Sequence, residues 1–479
     1  MSALRARGFR WLPALACLPA QGHGFGARYD LPLPLALWIT GAVSTVVLSF
    51  LVMAIAVRPG PGRQTGPRRA TVHREISEGL IGAAAIFTAR LLAVAGLVLI
   101  VVAGLIGNQT PTSNLAPTAI WIAWWVGFSY VSAFIGDAWA VVNPWAATFE
   151  AFERLVPDRS GARRPRLRWP EALGAWPAIG LFLVFAWLEL VWEGRSIPSR
   201  LAGCVIAFSV LTWTGMFLFG RRTWLRHADP FALAFGILAR FSPTEVRGDA
   251  GSPPRLSLRP PGAGLLQSED VSPSLVVFVI VMLSTVTFDG LMATPFWQRI
   301  EDALYVALPA LGSARLAVIN TAGLLSFCVI FLGVYRGVMR WTAHASANRM
   351  TPDAAARAFV LTLVPIAIAY LVAHYLAYCL IQGQLLVRLA SDPFGFGWNI
   401  FGTARFRPDV GIVGARFVWY TSLIAIVIGH VIAVTLAHII ALRAFRDPGV
   451  AARSQAPMLV LMVAYTMMSL WIVAQPIVE

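Results

Sequence analysis

Ten apolar runs dominate this 479-residue chain, at approximately 35–57, 80–106, 118–136, 176–193, 200–220, 274–293, 316–338, 359–382, 417–442 and 457–475. Roughly 20 apolar residues make a helix long enough to cross the hydrocarbon layer of a bilayer, where every backbone polar group must be bonded within its own segment. The pattern predicts an all-α integral membrane protein with about ten transmembrane helices. Only 13% of the residues are charged, against about 25% in an ordinary soluble domain, which excludes a water-soluble globule. Alternating strands of about ten residues are absent from the pattern, which excludes an outer-membrane barrel.

The first 22 residues join a basic segment (Arg5, Arg7, Arg10) to a short apolar stretch, WLPALACLPA, and a small-residue site ending at Gly22. This is the layout of a secretory signal, so residues 1–22 are expected to be removed and 23–479 to form a single polytopic membrane domain. Cys17 does not make it a lipoprotein signal, because Ala14 stands where that motif takes Leu.

The formal charge of +15 comes from 38 basic residues, all of them arginine, against 23 acidic ones. With the amino terminus starting outside, 24 arginines fall in the loops expected in the cytoplasm and nine in the outer segments. That is the positive-inside asymmetry, and it places both mature termini on the outer side of the membrane. The basic charge orients the protein against anionic lipid, so the bilayer is the expected partner and nucleic acid need not be invoked.

An internal repeat pairs NPWAATFEAFERLVP (143–157) with DPFALAFGILARFSP (229–243), inside a duplicated unit at about 118–193 and 200–293. Asn143 and Asp229 are expected N-caps, each with Pro at the first helical position. The pair predicts two interfacial amphipathic helices, with Trp145, Phe149, Phe152, Phe231, Phe235 and Leu238 in the inner interface and Arg154 and Arg240 reaching lipid phosphate. Such helices serve either as anchors or as a contact surface on the cytoplasmic side.

Chemistry in such a chain is sought among polar groups inside the spans, where ionisable residues are costly and face a cavity or a partner. Counting at about 1.5 Å per residue puts Glu189, Asp289, His374 and His430 in the outer half of the bilayer, with Asn320 at the start of the seventh span. The two histidines differ by about 7.5 Å in depth on neighbouring antiparallel helices. They can share a metal or a water, or simply make interhelical hydrogen bonds, with Tyr370, His374 and Tyr378 forming one polar stripe. Asp289 can cap a helix break at Gly290 or hold a base or ligand. Cleavage after Gly22 would expose His23, whose α-amine and imidazole suit copper or zinc. The candidate set is thus Asp289 and Glu189 as catalytic carboxylates, and His23, His374 and His430 as ligands of a divalent metal. His438 near the inner end, and His73 and His227 in basic loops, read as interface and solvated residues.

Four segments, HGFGARYDLPLP, GDAWAVVNPW, TFDGLMATPFW and SDPFGFGWNIFGTA, together resemble bacterial multispan membrane proteins that carry the name fenitrothion hydrolase. The resemblance runs from His23 to the last span. It implies hydrolysis of an aryl phosphotriester with release of a nitrophenol, and it supplies no catalytic residues to carry over. Such chemistry needs an activated water and an electrophile, most simply a metal. The chain has no HxH, no HExxH and no dense His/Asp cluster. A diffuse site is what remains, with His374 and His430 as ligands, Asp289 as ligand or base, and Trp297 and Trp398 walling an apolar small molecule. Two other classes fit the same features: a metal-handling or transport protein, and a scaffold for assembling another membrane protein.

The arginine asymmetry generates a direct expectation for topology. Reporter fusions at Arg159 and Arg255 should read cytoplasmic and one at Pro393 periplasmic; a periplasmic signal at either arginine would overturn the map.

Overall fold

The computed structural model describes residues 33–56, 73–75, 80–155, 165–247, 255–267, 271–445 and 447–475. The signal segment and His23 therefore lie outside the described residues. The main helices are α1 (Leu35–Ala56), α2 (Leu80–Ile106), α3 (Leu115–Thr118, a π-helical Ala119–Val126 and Gly127–Phe134 in one rod) and α4 (Pro144–Leu155). Next come α5 (Trp176–Leu190), α6 (Pro198–Phe219), α7 (Pro230–Ala239), α8 (Pro273–Met292) and α9 (Pro295–Ala307). The chain closes with α10 (Arg315–Ala345), α11 (Val364–Gln382), α12 (Ala415–Ala444) and α13 (Pro448–Ala474).

The protein is an all-α membrane-type bundle, and nine of its helices among the described residues are long and apolar enough to cross a bilayer. The remaining apolar run is α3, whose π-helical middle interrupts the regular α pattern without ending the rod.

Hydrogen bonds between loops show which connections share a face. On the arginine-rich face, β1 (His73–Glu75) pairs antiparallel with β3 (Arg255–Leu258), which also pairs with β2 (Thr244–Arg247). The Leu167 amide donates to Leu218 on that face. On the opposite face, the amides of Asn108 and Leu115 donate to Phe394 and Pro393 at 2.7 and 3.0 Å, and that of Ser199 to Gln109 Oε1 at 3.0 Å. The rod α3 begins beside Pro393 and ends where the Ile135 carbonyl accepts from the Thr244 hydroxyl in β2, so it passes from one face to the other. The small sheet is a feature that hydropathy gives no hint of.

Helix starts follow a recurring rule of a polar cap followed by proline. Asn143 accepts from the amides of Trp145 and Ala146, Asp229 from Phe231 and Ala232, Ser272 from Leu275, and Asp447 from Gly449 and Val450. Each satisfies amides that have no partner within the helix.

The two repeated helices share caps and then diverge. α4 carries Thr148, Glu150, Glu153 and Arg154 and is amphipathic; Phe149 packs inward while Phe152 and Leu155 are exposed. Its Glu150 gathers Arg90 at 3.3 Å, Arg154 at 2.6 Å and Arg221 at 2.9 Å, tying three segments together. α7 is apolar all round, and a helix without a polar face is buried by its neighbours. Phe231, Phe235 and Leu238 lie in the protein core, not against lipid, with Trp124, Trp125, Trp139 and Phe185 packed around the two phenylalanines. Arg154 bonds Glu150 and Arg240 donates to the Gln267 carbonyl at 3.0 Å, so both are engaged by protein groups. His227 stacks on Trp169 at 5.7 Å, and His438 is buried against Gln455 at 3.1 Å.

Asp229 is fully buried beneath α7, and desolvation pushes its carboxyl up to about 6 despite the amides that favour its charged form. The sign follows from proton counting: the native state binds the proton more tightly than the unfolded chain, so stability falls as pH rises from about 4 to about 6. Asp229→Asn keeps a capping oxygen and removes the charge. Unfolding measurements in nanodiscs should show a decline across that window that is smaller in the variant, by an amount on the order of 2–3 kcal/mol.

Candidate functional site

Asp289 sits in the last turn of α8, three residues from its end at Met292. The helix runs unbroken through Gly290, so Asp289 does not cap a break. Glycine is needed at 290 for another reason: a Cβ there would collide with the Tyr370 hydroxyl of α11. This close approach brings α11 against the carboxylate. His374 Nε2 lies 2.9 Å from Asp289 Oδ2, and the Tyr375 hydroxyl donates to the same oxygen at 2.6 Å. Tyr370 stacks on the His374 ring one turn below, at 5.9 Å and 19°. The side chains of His374 and Asp289 are 15% and 12% exposed, so the pair is lined by protein without being sealed by it.

A carboxylate accepts hydrogen bonds only, so a neutral His374 donates its Nε2 proton to Asp289 and keeps its basic lone pair on Nδ1. An aspartate that orients an imidazole and stabilises its protonated form is the standard support of a histidine base. Glu189, in the last turn of α5, has Asp289 and Arg195 as its charged neighbours. Arg195 Nη1 donates to the Leu190 carbonyl at 2.8 Å, closing the end of α5, and Trp121 Nε1 holds the Arg195 carbonyl at 2.8 Å. Tyr378 has both carboxylates as neighbours. The site thus collects two carboxylates, one imidazole and three phenols from α5, α8 and α11, with the Arg195 guanidinium from the turn that follows α5.

His430 is placed differently. It is fully buried on α12, its Nδ1 bonded to the Ile426 carbonyl at 2.8 Å, its ring 6.0 Å from that of Tyr465 on α13. Tyr465 is hydrogen-bonded to Thr287 on α8, two residues before Asp289. His430 therefore lies against Tyr465, which is bonded to the α8 turn that carries Asp289. Trp297 packs edge-on against Phe288 and donates to Asn320 at 3.0 Å, while Asn320 donates to Glu301 at 2.7 Å; these contacts dock α9 over the end of α8. Trp398 lies in the separate 391–404 loop, packed with Phe394 and Phe396. Among the described residues, no three His, Cys, Asp or Glu side chains come together as a metal site.

Sequence reasoning missed Tyr375, Tyr465 and Thr287. The signal for Tyr375 was available in principle, since a carboxylate inside a span needs more than one donor and Tyr375 is adjacent to His374.

A scan against protein-family models found no match for this chain, and comparisons with curated proteins and with solved structures found none either.

Proposed function

We propose that this protein is an intramembrane hydrolase of the bacterial inner membrane, opening to the periplasmic side, whose base is His374 oriented by Asp289. The observation that carries the reading is the 2.9 Å contact between His374 and Asp289 in a pair that protein surrounds but does not seal. The substrate class is an apolar aryl phosphotriester, as the resemblance of the four motifs implies. Such esters partition into the bilayer and reach an outer-half pocket from lipid.

In the reaction, Nδ1 of His374 takes a proton from water as the oxygen attacks phosphorus, and the P–O bond to the aryl group breaks, its electron pair leaving on the phenolate. Asp289 stabilises the imidazolium through Nε2. Tyr375, donating to Asp289, is a positioning residue. A metal-handling role would rest on His23 and His430 joining His374; the engagement of His430 with the Ile426 carbonyl and of His374 with Asp289 favours the hydrolase.

The test is nitrophenol release by purified protein in nanodiscs supplied with fenitrothion. General-base catalysis is worth roughly 10²–10⁴ in rate, so His374→Ala should lose at least 100-fold and Asp289→Asn a large part of that. Equal release by native protein, both variants and empty nanodiscs would sink the assignment.

A further inference from the structure

Between α11 and α12 the chain runs through a loop, residues 391–412, that takes no part in the site and turns large apolar side chains outward. Phe396, Trp398, Ile400 and Phe401 are all exposed, Phe401 by 70%. Phe394 stacks on Phe396 at 5.3 Å and packs on Trp398 at 5.3 Å, so the rings stand as one ridge. A contiguous apolar surface of this kind marks a contact with something other than water. The backbone beneath it is satisfied from within. Ser391 Oγ accepts from the amides of Phe401 and Thr403 at 3.1 and 3.2 Å, and the Ser391 carbonyl from that of Ile400 at 3.2 Å. Asp392 accepts from Phe396 and Gly397 at 3.0 and 2.7 Å, and Asn399 from Ala404 at 3.0 Å. Gly395, at φ +69°, lets the turn close on the Ser113 carbonyl, where a Cβ would collide. A loop in water can leave its amides to the solvent, whereas one that meets acyl chains must bond them itself.

The height of the loop in the membrane follows from its neighbours. Its Phe394 carbonyl accepts from the amide of Asn108, two residues past the end of α2 at Ile106. Leu105 and Ile106 are still exposed on that apolar span, and the first turn of α12, which the loop enters, exposes Phe417. The ridge is therefore continuous with the apolar surface of two spans, at the level where aromatic side chains collect at a membrane boundary. Arg405 and Arg407 flank it, both exposed and without an ion pair among the described residues. The acidic residues of the loop, Asp392 and Asp409, are turned onto backbone amides. A basic rim beside an apolar ridge matches a phospholipid layer, which sets phosphate above acyl chains.

We propose that the 391–412 loop is an interfacial lipid-binding element, with Phe396, Trp398, Ile400 and Phe401 seated in the leaflet opposite the arginine-rich face and Arg405 and Arg407 on lipid phosphates. Lipid held there is coupled to the bundle. Gln384, just past the end of α11, donates to the carbonyls of Leu380 and Asp409 and accepts from the Asp409 amide, each at 3.0 Å. The loop is thereby tied to the helix that carries His374 and Tyr378. Neither its placement nor its partner depends on the hydrolytic reaction.

The experiment places a spin label at Ile400 or Phe401 in the full chain, its native cysteines replaced by alanine, in nanodiscs of phosphatidylcholine and phosphatidylglycerol. Collisions with oxygen, which concentrates among acyl chains, are compared with those of a water-soluble nickel chelate. Both positions should meet oxygen at least threefold more often than the chelate, as a label at Leu105 does. Arg405→Gln combined with Arg407→Gln should raise chelate collisions at Phe401 at least twofold, and no change there would remove the arginines from lipid contact. Labels open to the chelate would overturn the proposal by placing the loop in water. Labels shielded from both reagents would overturn it by revealing a protein cover, a second copy of this chain or another one. Hydroxyl-radical oxidation of the native, unlabelled chain in the same nanodiscs gives a second reading that needs no substitution: slow oxidation of Trp398 and Phe401 supports the seating in lipid, and rapid oxidation of both contradicts it.

Discussion

A carboxylate within a helical bundle is tolerable only where fixed donors replace the water it has lost. At Asp289 those donors are His374 and Tyr375, adjacent residues of α11, both directed at one oxygen. Holding them there fixes the rotation of α11, and the rotation requires the close approach that Gly290 permits. With α8 and α11 set, Tyr370 and Thr287 are brought towards Tyr465, and Trp297 is set against Phe288 under α9. The geometry of three helices thus depends on one acidic group, and the chemistry assigned to the site uses the arrangement that its burial demands.

The rest of the bundle supports that group from two directions. On the arginine-rich face, Glu150 ties α2, α4 and the Arg221–His227 helix together, and the small sheet joins two distant loops. In the interior, the apolar helix α7 fills the space between α3 and α5 with phenylalanine against tryptophan. Neither device touches the site, but α7 packs against α5, the helix that brings Glu189 to it.

Much of this was legible in the residues. Apolar length gave the spans, polar-plus-proline pairs gave the helix starts, and counting along each helix assigned Asp289, His374, His430 and Glu189 to the outer half. What could not be read was rotation. A helix that is apolar on every side, such as α11 or α12, has no hydropathic marker for its inward face, so His374 and His430 could both be assigned to the outer half yet turn to different partners. The repeat misled for a related reason. Similar offsets in the 143–157 and 229–243 segments suggested equal placement, but the second lacks the Glu and Thr residues that keep α4 at a surface. Loop pairing in the sheet is long-range and leaves no trace in short strands of three or four residues.

The dependence of the fold on the Asp289/His374 contact is open to a double-mutant cycle. Unfolding free energies of the native protein, Asp289→Asn, His374→Gln and the double variant, measured in the same nanodiscs, give the coupling directly. A hydrogen bond to a charged group is worth about 1.5–3 kcal/mol, so a coupling in that range is the expected result. Additivity within about 0.5 kcal/mol, the behaviour of independent sites, would mean that the two side chains do not act together and would contradict the account at its base.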